Sequence, residues 1–516
     1  MRLRKSVVEY LEASARRSPE ACAVVDEHES VTYAELLDRS KRVGGSLAER
    51  GAAHQGVVIV LEKSAVTLSV MMGTLFAGAF YVIVEPGAPE LRMRQVIARL
   101  NATLIVAEEG GTADAVAADL GIVPLRPAEL LAAEVSEELL AQARTQSLET
   151  DPAYVLFTSG STGEPKGVTI SHHAIDAFID SFVHTFGFTA QDRFANQAPF
   201  DFDVSTKDIY SALYLGATLV IVPRELFMKP VELVAFLSEH QVNVLIWAVA
   251  ALGIVSAYHA LEGASLDRVR MVLFSGEVMP RKHLQDWRSH LPQATFVNLY
   301  GPTEITCNCL YHILDPKRSY DEGIPLGGSF DHCTVHLLAA DDTEQRTPGE
   351  RGEIVVAGPS LSLGYVGMPE ATNAAFVQNP LNKVFPERIY RTGDLATYSE
   401  TGELFFAGRK DNQIKLQGNR IELEEVDVTF ERVDGVMRCR CVFDAKRKRL
   451  RAFYEGTAER QELIDYAKEH LPFFMRPSTI ERVESMPLNK HGKVDRAQLF
   501  ETWQQAKRAK RAGGAR

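Results

Sequence analysis

Short apolar runs and amphipathic segments alternate along the first part of the chain. Runs typical of buried strands cover residues 56–61, 103–107, 218–222, 242–248 and 270–274. Apolar residues recur with helical spacing in two segments, Pro230–Glu239 and Arg281–His290. Strands that alternate with helices build sheets covered by helices on both faces. The pattern therefore predicts an α/β fold of layered, largely parallel sheets through about residue 310.

One uncharged stretch, residues 66–84, is long enough to be considered a membrane-spanning helix. It contains Gly73 and Gly78, and it ends in a β-branched run before Glu85-Pro86-Gly87. This change in residue composition along the stretch favours a buried helix, a glycine turn and a buried strand over a single spanning helix. We therefore expect no membrane association.

The sequence pattern changes after the predicted parallel sheets. Short strands separated by Gly and Pro fill residues 327–408, which predicts a β-rich subdomain. The remaining residues carry their own strands and helices, enough for a small α+β domain. We expect a large N-terminal domain over residues 1–410 and a small, mobile C-terminal domain over residues 411–516.

Composition narrows the class of protein. The 516 residues are 46% hydrophobic and 24% charged, with a formal net charge of −12. That balance is typical of a soluble globular protein and gives no reason to expect nucleic acid as a partner. The 6 cysteines lack the paired spacing of a zinc ribbon and are too few for a disulfide framework. Reduced thiols in a cytoplasmic protein are the expectation.

The strongest local motif is the segment YVLFTSGSTGEPKGV at residues 154–168. An apolar strand leads directly into a loop rich in glycine and hydroxyl residues. Glycines let backbone N–H groups face phosphate oxygens, and hydroxyls and a lysine add donors and charge. The spacing differs from a Walker-type loop. The predicted phosphate-binding residues are Thr158, Ser159, Gly160, Ser161, Thr162, Gly163 and Lys166.

Together with this loop, further motifs in fixed order make the chain resemble the adenylate-forming enzymes. That superfamily includes acyl-CoA synthetases, luciferases and the adenylation domains of nonribosomal peptide synthesis. The chain looks most like free-standing amino-acid adenylation enzymes and D-alanine carrier-protein ligases. The matching segments, which span residues 31–496, are VTYAEL, LFAGAFYVIVEPGAP, NLYGPTE, GEIVVAG with LGY, YRTGDL, GRKDNQIKLQGNRIE and PLNKHGKVDR.

The resemblance implies ATP and Mg²⁺ as cofactors and assigns residues to them. Asn298 and Tyr300 would bind and stack the adenine, within an NLYGPTE segment whose Gly301 and Thr303 also line the nucleotide site. Glu304 would hold the magnesium ion, since hard cations prefer carboxylate oxygen. Asp394 and Arg409 would hydrogen-bond the ribose hydroxyl groups.

The resemblance also implies that the C-terminal domain turns between two half-reactions. Lys493 would stabilise charge at the substrate carboxylate and the α-phosphate during adenylation, as a catalytic residue with Glu304. Asp411 would be the hinge. After the turn, the loop at residues 415–420 would approach the site for thioester formation. His491 stands where the family usually has Asn, which affects the positioning of Lys493.

In the amino-acid-activating branch, an Asp in an FDxS motif pairs with the α-ammonium of the substrate, and Asp203 occupies that position. The alternative for this residue is an N-terminal helix cap. By the same register, the substrate side chain would be lined by Lys207, Leu273, Ser275, Leu299, Cys307 and Asn308.

Lys207 lies one helical turn after Asp203 and has two interpretations. In the first, it forms an ion pair with Asp203 at i,i+4 spacing. In the second, it reaches into the pocket toward a polar or anionic substrate side chain. An acidic or strongly polar amino acid and a small neutral one such as alanine, serine or cysteine both remain open.

After Arg496 the 516-residue chain leaves no room for a carrier domain, so we expect the acceptor thiol on another molecule. The first candidate for this acceptor is a discrete carrier protein with phosphopantetheine, and the second is coenzyme A. The predicted function is that of a ligase in nonribosomal-peptide-type biosynthesis, which makes an aminoacyl-AMP and loads it onto this carrier. The alternatives are a carboxylic acid–CoA ligase, a D-alanine carrier-protein ligase, or a nucleotide-binding scaffold without turnover.

Overall fold

The computed structural model describes residues 6–159, 165–263, 265–488 and 494–513, with the backbone alone for residues 508–513. Over these residues the chain forms two compact units. The larger one comprises the chain up to Pro86, Ile97–Phe157 and Gly167–Lys410, and the smaller one comprises Gly87–Val96, Thr158–Lys166 and the chain from Asp411 onward.

The larger unit is a layered α/β structure, and this fold class confirms the sequence-based prediction. Its helices, numbered along the chain with α4 entering from the smaller unit, are α1 Val8–Arg17, α2 Tyr33–Glu49, α3 Ala65–Phe76, α4 Glu90–Leu100, α5 Thr112–Asp119, α6 Pro127–Ala132, α7 Glu137–Gln146, α8 His172–Phe186, α9 Val204–Leu215, α10 Pro230–Glu239, α11 Val249–Ala257, α12 Arg281–His290 and α13 Pro369–Ala375.

Its strands are β1 Cys22–Val25, β2 Ser30–Thr32, β3 Gly56–Val60, β4 Phe80–Ile83, β5 Leu104–Ala107, β6 Pro152–Thr158, β7 Lys166–Ser171, β8 Arg193–Asn196, β9 Thr218–Ile221, β10 Val244–Ala248, β11 Met271–Ser275, β12 Thr295–Tyr300, β13 Leu310–Ile313, β14 Gly328–Ser329, β15 Thr334–Leu338, β16 Arg351–Ala357, β17 Gly364–Tyr365, β18 Phe376–Gln378, β19 Arg388–Tyr398 and β20 Leu404–Arg409. Each predicted apolar run overlaps one of these strands.

Two large sheets form the centre of this unit. The nine-stranded sheet has the order β14-β13-β12-β11-β10-β8-β9-β1-β2, and the six-stranded sheet has the order β17-β7-β6-β4-β3-β5. The central strands from β12 to β1 pair in parallel, whereas β13, β14 and β2 add antiparallel edges. Parallel strands covered on both faces need apolar side chains on both faces, which explains their continuous apolar sequences.

The uncharged stretch at residues 66–84 folds as the glycine pattern predicts. Helix α3 is buried over almost its whole length and is capped at its N-terminus by Ser64, whose hydroxyl accepts a hydrogen bond from the Thr67 N–H. The chain turns at Gly78, where φ is +69°, a conformation that favours glycine. It then enters the buried strand β4. Across the part of the chain that the structure describes, no helix has the length and apolar character needed to cross a bilayer.

A third, five-stranded sheet follows the nine-stranded one in the larger unit. Its strands run antiparallel in the order β15-β16-β19-β18, with β20 paired to β19. The β-rich region predicted from residue 327 contains this sheet, although β14 pairs with β13 and so belongs to the nine-stranded sheet.

The smaller unit is an α+β structure with its own hydrophobic core. Its elements are β21 Gln413–Leu416, β22 Asn419–Glu422, α14 Leu423–Glu431, β23 Val436–Asp444, β24 Arg449–Gly456, α15 Arg460–His470, β25 Thr479–Arg482 and α16 Arg496–Gly513. Strands β23, β24 and β25 form a three-stranded sheet, and β21 pairs with β22. Phe430, Cys439, Cys441, Ala452 and Leu463 are fully buried in this core.

Candidate active site

The candidate site lies where parallel strands β11 and β12 end. Leu273 and Ser275 are on β11, and Asn298, Leu299 and Tyr300 are on the neighbouring β12, with Phe274 opposite Asn298 in the register. Ligands of open α/β sheets bind outside the carboxyl ends of the strands. Leu273 and Leu299 are buried, as expected of apolar pocket walls.

Asp203 is the residue before α9, at the position where a helix cap stands. Its side chain makes no capping hydrogen bond, and its backbone is already helical at φ −61° and ψ −23°. The carboxylate instead accepts a hydrogen bond of 2.6 Å from the hydroxyl of Thr303. The capping alternative is therefore wrong, and the carboxylate is turned toward the GPTE segment.

Lys207 lies on α9 and is 1% exposed. Its Nζ donates hydrogen bonds to Ser275 Oγ at 3.3 Å and to Asn308 Oδ1 at 3.1 Å. Three of the residues predicted to line the substrate side chain thus meet at one point. Burying a lysine ammonium costs free energy unless polar groups hydrogen-bond to it. The two acceptors therefore determine where the positive charge lies.

The loop after β12 carries five of the predicted site residues. Thr303 and Glu304 form a short 3-10 turn that ends at Ile305, and Cys307 and Asn308 follow it, both buried. Gly301 is required here because a Cβ at this position would lie 2.4 Å from the carbonyl oxygen of Cys307. The backbone therefore doubles back closely, which brings Cys307 and Asn308 next to β12.

Glu304 is fully buried. Its Oε1 accepts a hydrogen bond of 2.8 Å from the hydroxyl of Tyr365, and its main-chain carbonyl accepts one from the N–H of Ser362. Among the described residues, no group of three or more His, Cys, Asp or Glu side chains is arranged to hold a metal ion. A single carboxylate fits Mg²⁺ that is bound mainly by nucleotide phosphates and water.

Tyr300 and Asp394 are buried, and they form a polar group with the partly buried Arg409. The Tyr300 hydroxyl donates to Asp394 Oδ2 at 2.6 Å, and the Arg409 guanidinium pairs with Asp394 Oδ1 at 2.5 Å. Burial, reinforced by the neighbouring Asp394 carboxylate, raises the pKa of Tyr300 well above its usual value, so this hydroxyl stays protonated. Asn298 donates to the carbonyl of Pro325 at 2.9 Å.

The predicted phosphate loop is described only at its ends, within the smaller unit. Thr158 Oγ1 lies 3.4 Å from the carbonyl oxygen of Lys166. Ser159 Oγ donates to the Arg420 carbonyl and accepts from the Glu422 N–H, at 2.8 and 3.1 Å. The other predicted loop residues, and the predicted catalytic lysine, lie outside the described residues: Gly160, Ser161, Thr162, Gly163 and Lys493. Asp411 begins the C-terminal segment of the smaller unit, and its carboxylate accepts a hydrogen bond from the N–H of Gln413.

Two contributors to the site had no role assigned from the sequence. Tyr365 was part of a matching motif, but its contact with Glu304 joins residues far apart in the chain. Thr306 has a left-handed backbone, with φ +56° and ψ +69°, and its hydroxyl donates to the Ser360 carbonyl at 2.8 Å. A β-branched residue rarely adopts that conformation, so no sequence pattern signals it.

Comparisons with known proteins identify the family of the chain. Residues 11–366 match the family described as AMP-binding enzyme. A linear gramicidin synthase polypeptide of Brevibacillus parabrevis is 31% identical over 499 residues, which are 95% of this chain and 9% of that synthase. This chain thus spans about a tenth of the length of that curated relative.

Two solved structures resemble most of the chain. IdnL1 is 30% identical, with a TM-score of 0.78 and coverage of 94% of this chain and 98% of that one. Holo-PA1221, described as a nonribosomal peptide synthetase protein with adenylation and PCP domains bound to a vinylsulfonamide inhibitor, is 27% identical. Its TM-score is 0.83, with coverage of 96% of this chain and 84% of that one. By these matches and by its motifs, the chain belongs to the AMP-binding, adenylate-forming enzymes.

Proposed function

We propose that the protein activates an amino acid with ATP and transfers it to the phosphopantetheine thiol of a carrier protein in nonribosomal-peptide-type biosynthesis. In the first step, a carboxylate oxygen of the amino acid attacks the α-phosphorus of ATP, and the bond to pyrophosphate breaks. In the second, the thiolate attacks the carbonyl carbon of the aminoacyl-AMP, and AMP leaves with the bonding electrons.

The observation that carries this proposal is the arrangement around Asp203. A carboxylate held by Thr303, in the loop after strand β12, suits a substrate that has an ammonium group next to its carboxylate. A fatty or aryl acid offers no cation for it. This favours the amino-acid reaction over the carboxylic acid–CoA ligase alternative. A D-alanine carrier-protein ligase would use Asp203 equally, so Asp203 does not separate it from the proposed function.

Lys207 supports a substrate side chain that ends in hydrogen-bond acceptors. The ammonium is held by Ser275 and Asn308 at the position that the family register assigns to the side-chain pocket. A carboxylate or carboxamide group there would accept a charge-assisted hydrogen bond. A small neutral side chain would leave that donor without a substrate contact, so we propose an acidic or strongly polar amino acid.

Another group of residues is proposed to bind ATP and Mg²⁺. Asp394 and Arg409 are proposed to bind the ribose, and Tyr300 and Asn298 the adenine. Glu304 is proposed to supply one oxygen ligand to Mg²⁺, which neutralises charge on the ATP phosphates when it is bound. Tyr365 holds the Glu304 carboxylate in one orientation through its hydroxyl.

The acceptor is proposed to be a carrier protein because holo-PA1221, by its description, is a peptide synthetase protein that contains a PCP domain beside its adenylation domain. The similarity to a linear gramicidin synthase polypeptide supports the same biosynthetic class. A discrete carrier protein, a cytoplasmic location, and a hinge at Asp411 remain predictions from the sequence.

Pyrophosphate release tests the proposal when the protein is supplied with ATP, Mg²⁺ and each of a panel of amino acids and matched acids without the amine. We expect release with one or a few polar amino acids. Release only with acids that lack an amine would support the coenzyme A ligase instead. Adding a phosphopantetheinylated carrier protein or coenzyme A, followed by mass spectrometry, then identifies the acceptor.

A further inference from the structure

Two consecutive residues in the loop after β12 have a left-handed backbone although neither is glycine. Thr306 has φ +56° and Cys307 has φ +76°. Such conformations are unfavourable for residues with a Cβ and persist only where the surrounding structure fixes them, most often at functional sites. The turn is therefore expected to position a side chain of the site.

Several contacts on both sides fix the turn. The Thr306 N–H donates to the Thr303 carbonyl, and its hydroxyl donates to the Ser360 carbonyl at 2.8 Å. The Cys309 N–H donates to the Tyr300 carbonyl at 2.9 Å. The turn therefore has one conformation, and the side chain of Cys307 has a defined direction.

That direction leads to the residue before α9. Cys307 Sγ lies 3.0 Å from the main-chain carbonyl oxygen of Asp203 and donates its hydrogen to it. Burial, with a contribution from the Asp203 carboxylate that outweighs the effect of Lys207, raises the pKa of the Cys307 thiol well above its usual value. The thiol thus stays protonated and remains a donor.

Asp203 is consequently held at two points by one short loop. Thr303 binds its carboxylate at 2.6 Å, and Cys307 binds its main chain at 3.0 Å. The main-chain carbonyl of Asp203 also accepts a hydrogen bond of 3.1 Å from the N–H of Thr206, but its side chain makes no capping bond with α9. The two loop contacts are therefore well suited to set where the carboxylate lies.

We propose that Cys307 is a positioning residue that holds the main chain of Asp203, so that the carboxylate meets the ammonium group of the substrate. This deepens the proposed function and rests on it. The resemblance to known enzymes assigns Cys307 to the wall around the substrate side chain, which is a different role: that role would change the preference for side chains, not the preference for the amine.

The test compares Cys307→Ala, which removes the donor, with Cys307→Ser, which restores a shorter one. Cys333→Ala is the matched control, because Cys333 is also a buried thiol that donates to a main-chain carbonyl, that of Cys309 at 3.4 Å. For each variant, pyrophosphate release gives KM and kcat for the best amino acid and for the same acid without the α-amine. Melting temperatures show that each variant is folded.

We expect Cys307→Ala to raise KM for the amino acid by roughly 3- to 10-fold, the size of one hydrogen bond. KM for the acid without the amine should not change, and Cys307→Ser should recover part of the loss. A variant that changes both acids equally, or that behaves like Cys333→Ala, would overturn the positioning role. So would a change in side-chain preference with the amine preference intact.

The same assay separates the two levels of the proposal. A folded wild-type protein that releases no pyrophosphate with any amino acid contradicts the proposed function and removes the role of Cys307 with it. A wild-type protein that prefers amino acids, together with a Cys307→Ala variant that keeps this preference, contradicts the positioning role alone.

Discussion

Replacing Lys207 with Met tests how the site selects the side chain of its substrate. The substitution keeps most of the volume of the buried side chain and removes the ammonium that Ser275 and Asn308 hold. A hydrogen bond to a charged group contributes about 1.5–3 kcal/mol. Losing one such bond to the substrate should therefore lower kcat/KM by roughly 10- to 150-fold.

This loss should depend on the substrate. For an amino acid with a carboxylate or carboxamide side chain the full effect is expected, whereas an apolar amino acid of similar size should gain activity because the pocket no longer contains a buried cation. Pyrophosphate release across a panel of amino acids measures kcat/KM for each. Lys229→Met, which changes an exposed lysine of the same unit, is the control.

An unchanged order of substrates in Lys207→Met would refute this reasoning. Lys207 would then have only a structural role, as in the interpretation that pairs it with Asp203 along one helix face. A uniform loss for every amino acid, with a lowered melting temperature, would lead to the same conclusion.

Other contacts of the larger unit give three more predictions. Tyr365→Phe removes the hydrogen bond to Glu304, so the Mg²⁺ concentration for half-maximal activity should rise several-fold in a metal titration; an unchanged value would remove Tyr365 from the metal site. Asp394→Asn weakens the pairing with Arg409, so KM for ATP should rise about 10-fold or more while KM for the amino acid stays constant; equal changes in both would contradict the ribose role. Burial lowers the pKa of His172 from 6.5 to about 4. Because the unfolded chain binds a proton in this range more readily than the folded protein does, the free energy of unfolding should fall by up to about 3 kcal/mol as the pH drops from 6.5 to 4. Denaturant unfolding should show a smaller fall in His172→Gln, and an identical pH profile would contradict this.

Much of the fold was predictable because its signals are local. Apolar runs identified the parallel strands, and Gly78 within an uncharged stretch separated a buried helix from a buried strand. The pairing of β14 with β13 was not predictable, since it depends on contacts between edges that the sequence does not specify.

The site was predictable to a different degree at each residue. Motif order brought Asp203, Lys207 and Asn308 into consideration, and the structure brings Lys207 together with Asn308 and Ser275. The helix-cap alternative for Asp203 was decided only by the direction of one side chain. The contact of Cys307 with Asp203 arises from a left-handed turn, which has no signature in the amino-acid sequence.

Whether the site selects amino acids is measured by pyrophosphate release from the wild-type protein, with ATP, Mg²⁺ and a panel of amino acids beside the same acids without the α-amine. We expect release with a small set of polar or acidic amino acids and little with the matched acids. We also expect Asp203→Asn to remove this preference for the amine. Release with no amino acid, or equal release with acids that lack the amine, would contradict the proposed selection of amino acids.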